Sequence, residues 1–218
     1  KLGEPMVVSF KERLSASKII PVVRHHDHDI ALQACVLLVE EGLSVLELTT
    51  TIPGFAELIA QMRSRFPEIE IGAGTVLTQR DAELALKAGA GFLVSPCWSG
   101  QVSETAREAG KPYLPGAMTP GEVLHHASAG ASIVKVFPAN SAGGPGFLKA
   151  LTSVFPNIPL MPTGGVTPEN TQSYLEAGAV CVGMGGNLLP FGALVAGKTE
   201  QARNQINAAL KTASFHTF

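Results

Sequence analysis

Short apolar runs rich in β-branched residues alternate along this chain with longer segments whose apolar positions have helical spacing. The runs recur at intervals of about 20 to 28 residues, the length of one strand, one helix and two short loops. This alternation predicts eight βα units and therefore a (β/α)8 TIM barrel. An open doubly wound sheet shares the alternation but usually has fewer strands. The predicted strands are residues 19–23, 45–49, 69–73, 92–95, 113–115, 133–137, 160–162 and 180–182.

Capping residues mark where the intervening helices begin and end. Thr78, Thr119 with Glu122, and Thr167 before Pro168 have the sequence pattern of helix starts. Glycines just before the next strand have the pattern of helix ends; they are Gly42, Gly89, Gly110, Gly130 and Gly178.

The two ends of the chain, about residues 4–17 and 199–213, are predicted to be additional amphipathic helices. No linker, low-complexity tract or charge block interrupts the pattern between them. We therefore expect residues 1–218 to form a single barrel domain with an extra N-terminal helix.

Charge and composition exclude several classes of function. The chain has 16 Lys plus Arg against 18 Asp plus Glu, so it offers no basic footprint for nucleic acid or an anionic membrane. No stretch approaches the roughly 20 apolar residues that span a bilayer. The three cysteines form no metal-type spacing, which suits a reducing cytoplasm, and Cys35 and Cys181 are expected to be buried fillers.

Three ionisable residues stand out because they lie inside a predicted strand or directly at its end. A barrel strand is covered on both faces, so a charge there is costly unless it is paired or has a task. Lys135 is the only one of the nine lysines in the middle of an apolar run; Glu47 has the same position in another run, and Arg24 ends the first.

These charges point to carbonyl chemistry. Burial disfavours the charged form of a lysine, which leaves more of the neutral amine that attacks a carbonyl to form a Schiff base. The alternative is a buried Lys135–Glu47 ion pair that serves only the core. Because such pairs contribute little to stability and hydrophobic replacements often do better, function is the better explanation.

Glycine-rich segments follow the last two predicted strands, where barrels often bind phosphate with backbone N–H groups. They are Thr163-Gly164-Gly165 and Gly183-Met184-Gly185-Gly186-Asn187. A third segment, residues 71–75, ends in Thr75, whose hydroxyl is placed to meet a carboxylate. The sequence therefore predicts a ligand that carries a phosphate, with simple tight turns as the alternative.

Two histidine-containing segments are not interpreted as metal sites. In residues 25–29 neighbouring side chains point apart, and Asp27 or Asp29 is expected to cap the next helix instead. Residues 125–126 are interpreted as partly exposed helix surface. Trp98 follows the fourth strand, where it lines the pocket or covers the barrel rim.

Together these motifs resemble the 2-keto-3-deoxy-6-phosphogluconate (KDPG) aldolases and their 4-hydroxy-2-oxoglutarate (KHG) relatives. The resemblance runs from about residue 19 to residue 190. Its most specific parts are Val45-Leu-Glu47-Leu-Thr49, Ile71-Gly-Ala-Gly-Thr75, Ser95-Pro96, Val134-Lys135-Val-Phe137-Pro-Ala139 and Pro162-Thr163-Gly-Gly165-Val-Thr-Pro168.

The resemblance implies a class I lyase that uses a Schiff base and neither a metal nor another cofactor. It implies Lys135 as the Schiff-base lysine and Glu47 as the general acid and base. Pro96 and Phe137 are implied beside the pyruvate portion of the substrate, and Thr163, Gly164 and Gly165 at its phosphate. A homotrimer, a bacterial origin, a cytoplasmic location and a place in the Entner-Doudoroff route are implied by the resemblance alone.

The sequence departs from that family in two places. Many members have an arginine four residues after the catalytic glutamate, but this chain has Thr51 there. We expect Arg24 and Thr75 to bind the substrate carboxylate instead. After the last strand this chain has Gly183-Met-Gly185-Gly186-Asn187 where Gly-Gly-Ser-Trp is more usual. Phosphate binding there is expected to use the backbone of Gly185 and Gly186 with Asn187.

The expected reaction is reversible cleavage of KDPG to pyruvate and glyceraldehyde 3-phosphate. The alternatives are cleavage of 4-hydroxy-2-oxoglutarate to pyruvate and glyoxylate, and cleavage of 2-keto-3-deoxy-6-phosphogalactonate. A non-catalytic barrel that binds a phosphorylated sugar acid is a remote alternative.

Overall fold

A computed structural model describes residues 9–213, and in this range eight parallel strands form a nearly closed barrel. Neighbouring strands pair in the order β7-β6-β5-β4-β3-β2-β1-β8, and a bridge between Thr163 and Gly183 brings the last two together. The predicted (β/α)8 barrel is confirmed. The strands are β1 (Ile19–Val23), β2 (Val45–Thr49), β3 (Glu70–Gly74), β4 (Phe92–Ser95), β5 (Tyr113–Ala117), β6 (Val134–Val136), β7 (Leu160–Pro162) and β8 (Val182–Met184).

Helices connect the strands and cover the outside of the barrel with their apolar faces. Their bounds are α1 (Phe10–Ser17), α2 (His28–Glu40), α3 (Phe55–Arg65), α4 (Gln79–Lys87), α5 (Gly100–Glu108), α6 (Pro120–Ser128), α7 (Ala139–Ala142), α8 (Gly144–Val154), α9 (Thr171–Glu176), α10 (Phe191–Val195) and α11 (Thr199–Thr212).

The predicted helix caps are mostly present. Thr78 accepts the Asp81 N–H, and Thr119 forms a reciprocal capping box with Glu122. All five predicted glycine ends have a positive φ, between 62° at Gly110 and 102° at Gly178, a conformation in which glycine has no Cβ penalty.

One predicted helix start is wrong. Pro168 does not begin a helix; α9 starts later, at Thr171. Thr167 and Asn170 instead close a turn, in which the Thr167 N–H donates to Asn170 Oδ1 at 2.8 Å. The same residue types favour both arrangements, so the local sequence does not separate them.

The inside of the barrel is filled by alternate strand residues and closed at one end by α1. Leu14 of α1 is fully buried in this inner cluster, and the ring of Phe10 lies 5.3 Å from that of Phe92. Arg13 anchors the helix through an ion pair with Glu70 at 3.0 Å. The predicted extra N-terminal helix is thereby confirmed from Phe10 onward, and its predicted residues 4–8 lie outside the described residues.

The C-terminal helix α11 packs beside α2, where Arg203 pairs with Glu40 and Glu41. The prediction for residues 199–213 is confirmed to within one residue at its end. The single-domain prediction covers chain ends that the structure does not describe, and it stays a prediction. Within residues 9–213, no helix combines the length and the hydropathy that crossing a membrane requires.

Candidate active site

A cavity of about 330 Å³ opens at the carboxyl ends of the strands, the end at which barrel enzymes place their active sites. It is lined by residues of β1, β6 and β8 and of the loops that follow β1, β3, β4 and β6–β8. They are Val22, Arg24, Thr75, Pro96, Lys135, Phe137, Thr163, Gly164, Gly165, Val166, Gly183, Gly185, Gly186 and Asn187.

Lys135 lies in the middle of β6 and lines the inner end of this cavity, inside the barrel. Its side chain is only 7% exposed, and its Nζ lies 3.9 Å from Glu47 Oε1 and 5.1 Å from the centre of the Phe137 ring. On the neighbouring strand Gly116 of β5 pairs with Lys135, and a Cβ there would lie 2.0 Å from the backbone oxygen of Pro96, another residue of the cavity wall. A primary amine is thus held between a carboxylate and an aromatic face at the floor of the cavity.

Glu47 comes from the middle of β2 and is completely buried. Neither of its carboxylate oxygens has a hydrogen-bond partner among the described residues. A buried charge without hydrogen bonds is costly, and the ammonium of Lys135 is the group that compensates it. Burial of the neighbouring Cys181 raises the pKa of its thiol, and the negative charge of Glu47 raises it further.

A glycine in the adjacent strand makes space for this carboxylate. A Cβ atom on Gly74 of β3 would lie 2.0 Å from Glu47 Oε1 and 2.7 Å from its Cδ. No side chain larger than hydrogen fits there without moving Glu47. The predicted strand residue Glu47 and a glycine from the Ile71–Thr75 motif therefore belong to one local arrangement.

Arg24 lies at the end of β1 and leans towards the loops after β2 and β3. Its Nη1 donates to Thr51 Oγ1 at 3.0 Å, and its Nη2 donates to Thr75 Oγ1 at 2.7 Å. The Thr51 hydroxyl lies 2.8 Å from that of Thr49. The arginine is thus held by neutral hydroxyl groups beside the cavity.

The loops after β7 and β8 form the other wall. Gly164 and Gly165 have φ values of 92° and 74°, which L side chains rarely adopt. The two loops are joined by the side chain of Asn187, whose Nδ2 donates to Val166 O at 2.9 Å. Their backbone N–H groups are the candidates for binding an anion.

Thr163 occupies the junction between these loops and Lys135. It is buried, and its Oγ1 has no hydrogen-bond partner within residues 9–213. A Cβ on the facing Gly183 would lie 2.3 Å from this hydroxyl, so glycine is required opposite it. A buried hydroxyl that faces a cavity is available to bond with a ligand.

The structure brings the site residues predicted from the sequence together. All of them line the cavity except Glu47, which lies behind Lys135 rather than in the cavity wall. Sequence reasoning missed that Thr49 and Thr51 connect to Arg24. Hydroxyl groups in a run of three threonines give no sign of which distant side chain they meet.

The discounted segments lie outside this cavity. Asp27 caps α2 by accepting the Ile30 N–H, as expected, and within residues 9–213 no group of three metal-ligating side chains occurs. The interpretation of residues 125–126 as partly exposed surface is wrong for His126, which is buried with its ring stacked on Trp98 at 5.2 Å. Trp98 therefore covers this helix surface and does not line the cavity.

A second depression, of about 380 Å³, lies at the opposite end of the barrel, before β5 and β6. Its Arg107 is paired with Glu104, and its Lys111 is exposed. Because it lies away from the carboxyl ends of the strands, the first cavity is the candidate active site.

Comparison with known proteins finds a matching family and similar proteins. A family profile described as "Aldolase: KDPG and KHG aldolase" matches residues 10–204. A Pseudomonas aeruginosa protein named 2-dehydro-3-deoxy-phosphogluconate aldolase is 33% identical over 201 residues, covering 92% of this chain and 91% of the relative. An Escherichia coli protein named KHG/KDPG aldolase is 32% identical over 201 residues, covering 90% and 94%.

Solved structures give the same result. A Legionella pneumophila KDPG aldolase, described with pyruvate captured as a covalent carbinolamine intermediate, superimposes with a TM-score of 0.83 at 30% identity. The match covers 91% of this chain and 97% of that one. A native KDPGal structure gives a TM-score of 0.78 at 30% identity, covering 90% and 95%.

Proposed function

This chain belongs to the KDPG and KHG aldolase family, whose members are aldehyde-lyases, and from this premise we propose that it cleaves KDPG through a Schiff base on Lys135. The products are pyruvate and glyceraldehyde 3-phosphate, and the reaction is reversible. The observation that carries the proposal is the buried amine of Lys135, which faces the cavity 3.9 Å from the carboxylate of Glu47. Within residues 9–213 that carboxylate has no hydrogen-bond partner.

Lys135 first passes one proton to Glu47, directly or through one water, and its Nζ attacks the C2 ketone of the substrate as a neutral amine. The carbinolamine that forms takes this proton on its C2 oxygen, which leaves as water, and becomes an iminium ion while Glu47 returns to the carboxylate. Because the Lys135 side chain is only 7% exposed, bulk water is kept away from the amine and from the intermediates that form on it. The Phe137 ring, 5.1 Å from Nζ, keeps one side of the amine apolar and has a face that attracts the cationic iminium.

Glu47 then acts as a general base, directly or through one water. It takes the proton of the C4 hydroxyl as the C3–C4 bond breaks, and C4 becomes the aldehyde carbon. The electron pair of the broken bond forms a C2–C3 double bond, which converts the iminium ion into a neutral enamine. The aldehyde product leaves. Glu47 returns a proton to C3, and hydrolysis of the resulting iminium releases pyruvate and the free amine.

The two ends of the substrate are assigned to the two walls of the cavity. Arg24 and Thr75 bind the carboxylate on one side, and Pro96 and Phe137 contact the pyruvate portion. The phosphate binds the opposite wall, at Thr163, Gly164, Gly165, Gly185, Gly186 and Asn187. This assignment is supported by the cationic guanidinium on one wall and the glycine-rich loops on the other.

A second candidate substrate is 4-hydroxy-2-oxoglutarate, which yields pyruvate and glyoxylate. The name of the E. coli relative, KHG/KDPG aldolase, supports it. The reaction uses the same lysine and glutamate but requires no phosphate site. The galactonate epimer of KDPG is a further alternative, supported by the similarity to the KDPGal structure. The predicted homotrimer, cytoplasmic location and independence of cofactors remain predictions.

Mass spectrometry after borohydride reduction with pyruvate tests the mechanism. Wild-type protein is expected to gain one reduced pyruvyl adduct on the peptide that contains Lys135, and a Lys135→Met variant to gain none. Absence of the wild-type adduct, or its appearance on another lysine, would contradict the proposal. Cleavage rates on KDPG, its galactonate epimer and 4-hydroxy-2-oxoglutarate then identify the preferred substrate.

A further inference from the structure

Three consecutive threonines, residues 49–51, come shortly after Glu47 and hold the parts of the proposed carboxylate site. Thr50 Oγ1 donates to the carbonyl oxygen of Thr75 at 2.8 Å. Thr51 Oγ1 accepts from Arg24, and the Thr49 hydroxyl lies 2.8 Å from that of Thr51. The loop after β2 therefore contacts both residues assigned to the substrate carboxylate.

Arg24 is a cation in the wall of the cavity. The ion pairs found within residues 9–213 involve Arg13, Arg107, Lys135 and Arg203, and Arg24 has no carboxylate partner in that range. Its hydrogen bonds with side chains go to hydroxyl groups, which leave its full positive charge uncompensated. A cation held in place by neutral acceptors beside a cavity is suited to an anionic ligand.

The direction in which Arg24 is held decides which end of the substrate it meets. Both of its partners, Thr51 and Thr75, follow β2 and β3, whereas the glycine-rich loops follow β7 and β8. With one N–H of each terminal nitrogen used by a threonine, the others stay available for a carboxylate. Thr75 itself has a φ of 57°, an uncommon conformation for a non-glycine residue. The bond from Thr50 to its carbonyl helps to keep that conformation.

From these contacts we infer that Thr51 is a positioning residue that fixes Arg24 over the pyruvate carboxylate and so sets the preference for 2-oxo acids over neutral ketones. The inference rests on the proposed function. Thr49, which is completely buried, holds the Thr51 hydroxyl from behind, so the rotamer of Thr51 is defined before substrate binds. Thr51 touches no substrate; it acts through the guanidinium.

The test is borohydride trapping at increasing concentrations of pyruvate or of pyruvamide, which lacks the carboxylate charge. We expect Thr51→Val to raise the half-saturating pyruvate concentration about tenfold, the usual effect of losing one hydrogen bond to a charged group. The value for pyruvamide should stay within about twofold in the same variant, and kcat for KDPG cleavage should change less than KM. Thr51→Ser restores the hydroxyl and should recover most of the pyruvate affinity.

Thr105→Val is the matched control, because its hydroxyl bonds the Gln101 carbonyl of its own helix, at 2.9 Å, far from the cavity. It should trap both ketones as the wild type does. Equal values for wild type and Thr51→Val would overturn the inference while leaving the Schiff base intact. So would equal losses for pyruvate and pyruvamide, or failure of Thr51→Ser to recover. If the wild type traps neither ketone, the proposed function fails and the inference fails with it.

Discussion

The amine of Lys135 and the carboxylate of Glu47 approach to 3.9 Å inside the barrel, although they lie on β6 and β2 and are separated by 88 residues of sequence. This distance is longer than a direct hydrogen bond and short enough for strong electrostatic interaction. A group of atomic size, such as a substrate oxygen or one water, fits in reach of both. The relationship is therefore suited to passing a proton to and from an atom that is attached to the lysine.

Removing the lysine should destabilise the protein as well as inactivate it. In Lys135→Met, Glu47 loses the ammonium that faces it, and breaking a buried pair in this way costs about 3 kcal/mol or more. Urea unfolding at neutral pH measures the loss. The double variant Lys135→Met/Glu47→Gln removes the uncompensated charge and should be more stable than the single variant. A single variant as stable as wild type would contradict this account of the pair.

Replacing Glu47 by glutamine should separate proton transfer from Schiff-base formation. Glutamine keeps the shape of the side chain but takes up no proton, so kcat for KDPG cleavage is expected to fall about 10² to 10⁴-fold. Pyruvate should still be trapped on Lys135 by borohydride when incubation is prolonged. Stopped-flow or coupled assays give kcat, and mass spectrometry gives the adduct. If kcat stays within threefold of wild type, Glu47 is not the general base.

Substitution of Gly74 should lower activity strongly, because Gly74 makes space for the carboxylate of Glu47. Gly74→Ala places a Cβ where the Glu47 carboxylate now lies, 2.0 Å from Oε1, and the buried carboxylate has to move. Displacement of a catalytic group by about 1 Å can lower the rate about 10²-fold. Steady-state kinetics on KDPG measure this change.

Gly121→Ala is the control for that experiment. Gly121 lies in α6, and within residues 9–213 a Cβ added to it would meet no neighbouring atom within 4 Å. Alanine there should leave kcat unchanged and raise the free energy of unfolding by up to about 1 kcal/mol. Equal activity of the two alanine variants would show that Gly74 does not determine where Glu47 lies.

Apolar periodicity predicted the barrel closely because each strand is covered on both faces and each helix on one. Even so, predicted strand 180–182 begins two residues before β8. Val180 already donates to the Leu160 carbonyl at 3.0 Å, so the chain runs beside β7 before the regular strand begins. Apolar character marks burial, and burial extends beyond the strand itself.

The positions of Lys135 and Glu47 in the candidate site were predictable for a different reason. Lys135 and Glu47 violate the apolar pattern of their strands, so the cost of burying them is visible in the sequence. Thr49 and Thr51 violate nothing, because threonine is common in strands and in the loops after them. Their link to Arg24 depends on how far apart β1 and β2 lie at their ends, which only the folded structure gives. The burial of His126 was not predictable either, because it depends on Trp98, which comes from another loop.

Burial of His126 makes stability depend on pH. The pKa of His126 lies below the ordinary histidine value, mainly because the ring is buried, and the nearby His125 lowers this pKa further. The bond with the Gly116 carbonyl and the nearby Glu122 act in the opposite direction. The unfolded chain then binds a proton more readily than the folded protein, so the free energy of unfolding should fall as the pH drops below about 6.5.

Urea unfolding between pH 7.5 and pH 5.5, a range of about two units around the ordinary histidine pKa, tests this dependence. His126→Gln should show a smaller decline than wild type over this range, whatever its stability at pH 7. His125→Gln, which changes an exposed neighbour, should keep most of the decline. Parallel curves for wild type and His126→Gln would assign the pH dependence to other groups.

In the wall assigned to the phosphate, Asn187 joins the loops after β7 and β8. Asn187→Asp has the same shape, but it loses the N–H that bonds Val166 O and adds a negative charge beside the proposed phosphate. Like-charge repulsion should raise KM for KDPG about tenfold or more, an effect that increasing ionic strength reduces. 4-Hydroxy-2-oxoglutarate has no phosphate; its second carboxylate is carried closer to the reacting carbon, so its KM should rise clearly less. Steady-state kinetics on both substrates give the ratio. If both KM values rise equally, the substitution has disturbed the cavity as a whole, and the phosphate does not bind at Asn187.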